Sequence, residues 1–129
     1  MTRSVLCVED NRLNMQVMRH VIKRLHGVIL REAVTAEQGI EIAQSERIDL
    51  IIMDIQLPGM DGFEALERLK EHEKTRDIPV IALSSFAEAR DIERGLEAGF
   101  VEYVTKPIRA VQFMKLLEEL LGVKEAGLS

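Results

Sequence analysis

Four large apolar residues, Leu50-Ile51-Ile52-Met53, run without a polar break into one carboxylate, Asp54, and the chain then turns through Pro58-Gly59 and Asp61-Gly62. A run without apolar and polar alternation predicts a strand buried on both faces, as in a parallel sheet covered by helices. Such a strand does not end on a charge without a reason. In open α/β sheets ligands bind beyond the carboxyl ends of the strands, where loops splay apart and helix N-termini point into the crevice. Position alone makes Asp54 a candidate site residue.

The rest of the chain fits that kind of sheet. Ser4-Val5-Leu6-Cys7-Val8 is a first strand that also stops on carboxylates, Glu9 and Asp10. Asn11 offers an N-cap to a helix over 12–25 whose apolar stripe is Val17, Met18, Val21, Ile22 and Leu25, closed by Gly27. A strand of mixed polarity at 28–34 belongs nearer the sheet edge, and Thr35 caps a helix over 36–45. The strand at 50–53 leads to a helix over about 62–73, with Phe63, Leu66 and Leu69 on its buried side. A charged loop at 71–77 precedes a strand at 78–83, which ends on Ser84-Ser85. A helix over about 87–98 closes at Gly99, and a strand at 100–104 ends at Thr105-Lys106-Pro107. Pro107 is tolerated at a helix start, so a last helix is expected over about 108–121, followed by a frayed tail from Gly122. Strand starts about 20 to 30 residues apart match the βαβ unit, and five units with right-handed crossovers form a three-layer, doubly wound α/β domain.

Bulk properties agree and narrow the function. A chain of 129 residues is one domain, with the core expected at about 3–122 and 123–129 as a flexible tail. A formal charge of -5 argues against a nucleic-acid or anionic-membrane surface, which needs clustered Lys and Arg. No apolar run approaches the roughly 20 residues that span a bilayer. The N-terminus leads into a strand rather than a signal peptide. The single Cys7 excludes an internal disulfide and fits a reducing cytoplasm, and its apolar neighbours make it a packed, inert thiol. His20, His26 and His72 are scattered and form no metal-ligand pair.

The residues that end the strands carry the chemistry. Glu9 and Asp10 follow the first strand, Asp54 the third, Ser84 the fourth and Lys106 the fifth, and a parallel sheet brings all of them to one edge. Three carboxylates so close raise one another's pKa or recruit a cation. An all-oxygen cluster with no His or Cys nearby selects a hard ion, and Mg²⁺ is the usual choice where phosphoryl groups are handled. A divalent metal, a lysine, a hydroxyl and one open carboxylate can stabilise a phosphoryl group in flight, the carboxylate acting as nucleophile.

Val8-Glu9-Asp10-Asn11, Met53-Asp54-Ile55-Gln56-Leu57-Pro58-Gly59-Met60-Asp61-Gly62, Ala82-Leu83-Ser84-Ser85 and Thr105-Lys106-Pro107 together resemble the receiver domain of two-component response regulators, over about residues 3–122. The resemblance implies a flavodoxin-like fold with sheet order 2-1-3-4-5, a central first strand, and Asp10 beside Asp54 at the switch point. It implies that Asp54 accepts a phosphoryl group from the phosphohistidine of a histidine kinase or histidine phosphotransfer domain. Asp10 would ligate Mg²⁺ directly, Glu9 mainly through metal-bound water, and the Gln56 carbonyl would complete the protein ligands. Ser84 matches the switch hydroxyl, Lys106 the lysine that pairs with a phosphoryl oxygen, and Tyr103 the rotating switch aromatic. The Lys106 to Pro107 bond is commonly cis in such domains. The output surface would be the face of the fourth helix, fifth strand and fifth helix, where a downstream effector binds, with no direct nucleic-acid contact.

The chain departs from the family pattern in small ways. Ser84 stands where Thr is more frequent and lacks the methyl that stiffens χ1. Ser85 replaces the usual Ala and keeps that position small. Gln56 and Phe86 hold the two positions that tune hydrolysis of the aspartyl phosphate. Asp61 reads as turn chemistry. Leu13 and Met15 fall off the buried stripe of the first helix and form an expected apolar contact for a partner helix. A haloacid-dehalogenase-type phosphatase, the rival reading, needs a second Asp where this chain has Gln56. An FMN carrier needs a phosphate loop after the first strand, where this chain has Glu9 and Asp10. A stand-alone regulator and a receiver belonging to a hybrid histidine kinase both remain open, the Asn11 and Asn14 pattern being common in the latter.

Overall fold

The computed structural model describes residues 2–125, which form five strands and five helices in strict alternation. The strands are β1 (Arg3–Val8), β2 (Val28–Ala33), β3 (Leu50–Asp54), β4 (Val80–Ser84) and β5 (Glu102–Thr105). The helices are α1 (Arg12–Lys23), α2 (Ala36–Ser45), α3 (Gly62–Glu71), α4 (Ala89–Ala98) and α5 (Ala110–Leu121). All strand pairs are parallel, in the order β2-β1-β3-β4-β5. This is the flavodoxin-like doubly wound order. β3 holds the geometric centre, and β1 is interior beside it rather than central itself. β2 lies at the edge, as its mixed polarity requires.

Period-two alternation explains why β3 carries no polar residue before Asp54. Leu50 and Ile52 face one core with Val5, Cys7, Ile81 and Leu83, under α1 and α5. Ile51 and Met53 face the other with Leu6, Val8, Val80 and Ala82, under α2 and α3. Both faces of the strand are dry, so every position before the site must be apolar. α4 is the exception among the helices, since its only buried residue is Gly95.

Where element ends differ from the sequence expectations they do so by one or two residues. α1 stops at Lys23 because the N–H of Arg24 turns back to the carbonyls of Val21 and Ile22. Gly27, with φ +70°, shapes the turn into β2 instead of closing the helix. β4 begins after Pro79, which has no N–H for the ladder and offers only its carbonyl to Ile51 at 3.0 Å. Phe100 lies outside β5 because its N–H bonds to Gly95 at 3.2 Å. Met15 is buried against the α1 and α5 core, which corrects its expected exposure, whereas Leu13 is 71% exposed. Of the expected frayed tail, residues 126–129 lie outside the described residues. Val123 to Glu125 are held: the N–H of His26 bonds to the Lys124 carbonyl at 2.9 Å, and Leu25 pairs with Glu125.

One close approach fixes the loop after Asp54. Asp61 caps α3, its Oδ1 accepting the Glu64 N–H at 2.9 Å, and so the Asp-Gly turn is structural. The next residue, Gly62, bonds through its N–H to the Ile55 carbonyl at 3.0 Å. A Cβ on Gly62 would sit 2.7 Å from Ile55 Cα and 2.8 Å from the Asp54 carbonyl oxygen. Backbone on both sides leaves no flexible group to yield. Gly62→Ala is expected to lower folding stability by about 1–3 kcal/mol, as overpacking does, in urea or thermal denaturation. Unchanged stability would show that this contact relaxes freely.

Candidate functional site

Parallel register assembles the site. Val8 pairs with Met53, so Glu9 and Asp10 emerge beside Asp54. Asp54 pairs with Leu83, which brings Ser84 to the next position, and Ser84 pairs with Thr105, which does the same for Lys106. A backbone bond from the Lys106 N–H to the Ser84 carbonyl, 2.8 Å, fixes the start of the lysine side chain, and the Lys106 to Pro107 peptide is cis.

Lys106 is the hub. Its Nζ donates to Asp54 Oδ2 at 2.8 Å, to Glu9 Oε1 at 3.2 Å and to Glu9 Oε2 at 3.4 Å. The second oxygen of Asp54, Oδ1, accepts the Gln56 N–H at 2.8 Å. Glu9 Oε1 also accepts Asn14 Nδ2 at 2.7 Å. Glu9 and Asp54 are both buried, while Asp10 is exposed. Around the rim Ser84 Oγ accepts the Phe86 N–H at 3.0 Å. The side-chain oxygen of Gln56 gathers the Ser85 N–H at 2.8 Å, Ser85 Oγ at 2.7 Å and the more distant Ser84 Oγ at 3.4 Å. Tyr103 is half-buried; its hydroxyl donates to the Phe86 carbonyl at 2.7 Å, and its ring rests on Gly95, where a Cβ would lie 2.6 Å from Cδ2.

The charges are not balanced. Burial, joined by the neighbouring Asp54, pushes the Glu9 carboxyl up to about 7, with Asn14 and Lys106 opposing. Burial also acts to raise Asp54, yet hydrogen bonds from Glu9, Lys106 and the Gln56 backbone outweigh it and hold that carboxyl below its usual range. Burial acts to lower Lys106, and the two carboxylates more than reverse this, so the ammonium is held charged. The pair is therefore unequal: Asp54 is held toward its charged form, and Glu9 is the carboxyl that takes up a proton more readily.

Glu9, Asp10 and Asp54 each offer a carboxylate oxygen, all within 4.8 Å of one another. Three acidic oxygens facing one lysine leave excess negative charge, and an all-oxygen set suits a hard divalent cation. The donor set fits Mg²⁺. Cys7, buried beneath the site, has its thiol raised by burial, so it stays protonated and inert.

Glu9, Asp10, Asp54, Gln56, Ser84 and Lys106 all lie at this edge of the sheet, and Tyr103 reaches its rim through the Phe86 carbonyl. Two interactions were missed. The Gln56 side chain ties the β3 loop to the β4 loop, and nothing in the sequence except its place two residues after Asp54 pointed to that. The Asn14 contact with Glu9 had a readable signal: a donor amide three residues after an N-cap, directly behind the acidic pair.

Comparison with known proteins agrees with this geometry. Residues 5–118 match the model of the response regulator receiver domain. The chain is 40% identical over 122 residues to the polar-differentiation response regulator DivK of Brucella ovis, covering 95% of this chain and 98% of that protein. It resembles the receiver domain of a sensor histidine kinase from Pseudomonas aeruginosa PAO1, whose structure holds a magnesium ion in the active-site cleft. That match has a TM-score of 0.83 and 30% identity, over 95% of this chain and 99% of the other. A chemotaxis response regulator of Vibrio cholerae, 23% identical, shares the fold with a TM-score of 0.85 over 93% of this chain and 99% of that one. A phosphoacceptor role in two-component signalling follows from this relationship, and the chain belongs to the response regulator receiver domain family.

Proposed function

We propose that Asp54 accepts a phosphoryl group from the phosphohistidine of a histidine kinase or phosphotransfer domain, with Mg²⁺ held by Glu9, Asp10, Asp54 and the Gln56 carbonyl. The observation that carries this reading is the Lys106 ammonium, 2.8 Å from Asp54 Oδ2 in a pocket with two further carboxylates. A carboxylate held ionised and nearly buried is a competent nucleophile. Bound there, magnesium supplies positive charge against the phosphoryl oxygens. The magnesium in the Pseudomonas receiver domain supports the same ion here.

The residues of the chain would do the rest. An Asp54 carboxylate oxygen forms the new bond to phosphorus as the donor P–N bond breaks, and the electron pair returns to the donor imidazole. Lys106 has three protons and can turn one to a phosphoryl oxygen while another stays on Glu9. Ser84 Oγ, now accepting from Phe86, would rotate to donate to the phosphoryl group. Phe86 also receives the Tyr103 hydroxyl, so movement at Ser84 would reach Tyr103 and, through Gly95, α4. With Gly95 as its only buried residue, α4 is held by few apolar contacts and is the easiest element to bias. The face of α4, β5 and α5, with Phe86, Leu96 and Val111 exposed, would present the change to a downstream effector. The domain would assist its own phosphorylation and dephosphorylation, with no separate substrate, in a cytoplasm that keeps Cys7 reduced. The phosphatase alternative lacks support: the amide of Gln56 supplies no acid proton, and its oxygen is taken by Ser85.

Incubation with Mg²⁺ and acetyl phosphate, followed by peptide mass spectrometry, should find one labile phosphoryl group on Asp54 and none in Asp54→Asn. A persistent adduct elsewhere, or none at all even with a cognate kinase, would remove the assignment. The raised Glu9 carboxyl sets a pH dependence. Below about 7 Glu9 holds a proton that Mg²⁺ must displace; above it the carboxylate is free. Calorimetric Mg²⁺ affinity should therefore fall about tenfold from about pH 8 to about pH 6, with proton release on binding. An affinity flat over that range would contradict a role for Glu9 at the cation.

A further inference from the structure

We infer that Asn14 is a positioning residue for the magnesium site, acting by orienting the Glu9 carboxylate; the inference rests on the reading that Glu9, Asp10 and Asp54 hold Mg²⁺. Asn14 stands at the third position of α1, half-buried. Helices that start beyond an N-cap have a free N–H at that position, and here Asn11 Oδ1 takes it at 3.0 Å. The cap satisfies the backbone of Asn14 and leaves its side chain unused by the helix. That side chain reaches back across the β1 to α1 loop and donates Nδ2 to Glu9 Oε1 at 2.7 Å, closer than either contact of Glu9 with Lys106.

The geometry explains why an amide serves at this position. A Glu or Gln three residues after the cap would normally turn to the cap backbone, and a carboxylate would repel Glu9. Asn is short enough to stay over the acidic pair and offers N–H donors. Lys106, a second donor to Glu9, sits at 3.2 and 3.4 Å and is shared with Asp54. Incoming phosphate would compete for that lysine. Asn14 has no such competing duty, so it holds Glu9 whichever way Lys106 turns. Groups that hydrogen-bond a metal-binding carboxylate from behind set its orientation, and their loss typically costs about 10- to 100-fold in metal affinity.

The test is Mg²⁺ affinity by titration calorimetry on the full chain, with thermal stability measured alongside, in a double-mutant cycle. Asn14→Ala should weaken Mg²⁺ binding about tenfold or more, and should have less than about a twofold effect when Glu9→Ala is already present, because the acceptor of the Asn14 amide is gone. Asn11→Ala, which removes the cap but not the Glu9 contact, should lower Tm while Mg²⁺ affinity stays near wild type. Asn14→Leu, similar in shape and a better helix former, serves if the Ala variant does not fold, and should behave as Ala does. Equal losses with and without Glu9, a matching loss in Asn11→Ala, or no loss at all would each overturn the inference. Absence of Mg²⁺ binding by the wild type would overturn the metal reading along with it.

Discussion

Everything at the site turns on one ammonium group, Lys106, between the buried carboxyl groups of Glu9 and Asp54, with Asp10 close to both. Lys106 is held charged by the acids it touches, and together with the hydrogen bonds of Glu9 and the Gln56 backbone it outweighs the burial that acts to raise the Asp54 carboxyl. Removing one partner from a buried pair of this kind typically costs about 3–5 kcal/mol, because the survivor is left charged and dry. One positive charge does not balance the acidic group once Glu9 is ionised. The deficit is what a divalent cation would fill.

The fold supplies that set at close range because it is a parallel sheet. Adjacent strands in register end at the same level, so residues far apart in sequence meet: Glu9, Asp54, Ser84 and Lys106 each follow the end of a different strand or close it. Backbone contacts then fix the loops. Gly62 packs on the backbone of Asp54 and Ile55, and the Gln56 side chain ties the next turn to Ser85. In contrast, the rim of the site is loosely built. Ser84, Phe86 and Tyr103 are joined by single hydrogen bonds, and α4 rests on Gly95.

Much of this was legible in the sequence, for identifiable reasons. Leu50 to Met53 had to be a strand covered on both faces, and strands that end on Glu9, Asp54, Ser84 and Lys106 had to bring those groups together. Long apolar elements and their polar ends carry strong signals. The misses lie where tertiary contacts override local pattern. Met15 looked exposed on a helical stripe drawn from α1 alone, but α5 packs beside it. Gly27 looked like a helix cap, yet the helix had already ended in the bonds of Arg24. The side chains of Asn14 and Gln56 make their contacts across loops, and periodicity carries no information about those.

The central claim is that Lys106 couples the charge on Asp54 to the rim, and the most direct measurement is a pair of amide spectra. The Ser85 and Phe86 N–H signals would be followed by nuclear magnetic resonance before and after Mg²⁺ and acetyl phosphate, in the wild type and in Lys106→Ala, with Asp54 occupancy checked by mass. Both amides should shift in the wild type, since their partners are Gln56 and Ser84. In Lys106→Ala they should stay near their unphosphorylated positions even where Asp54 is modified. Equal shifts in the two proteins at equal occupancy would contradict the account.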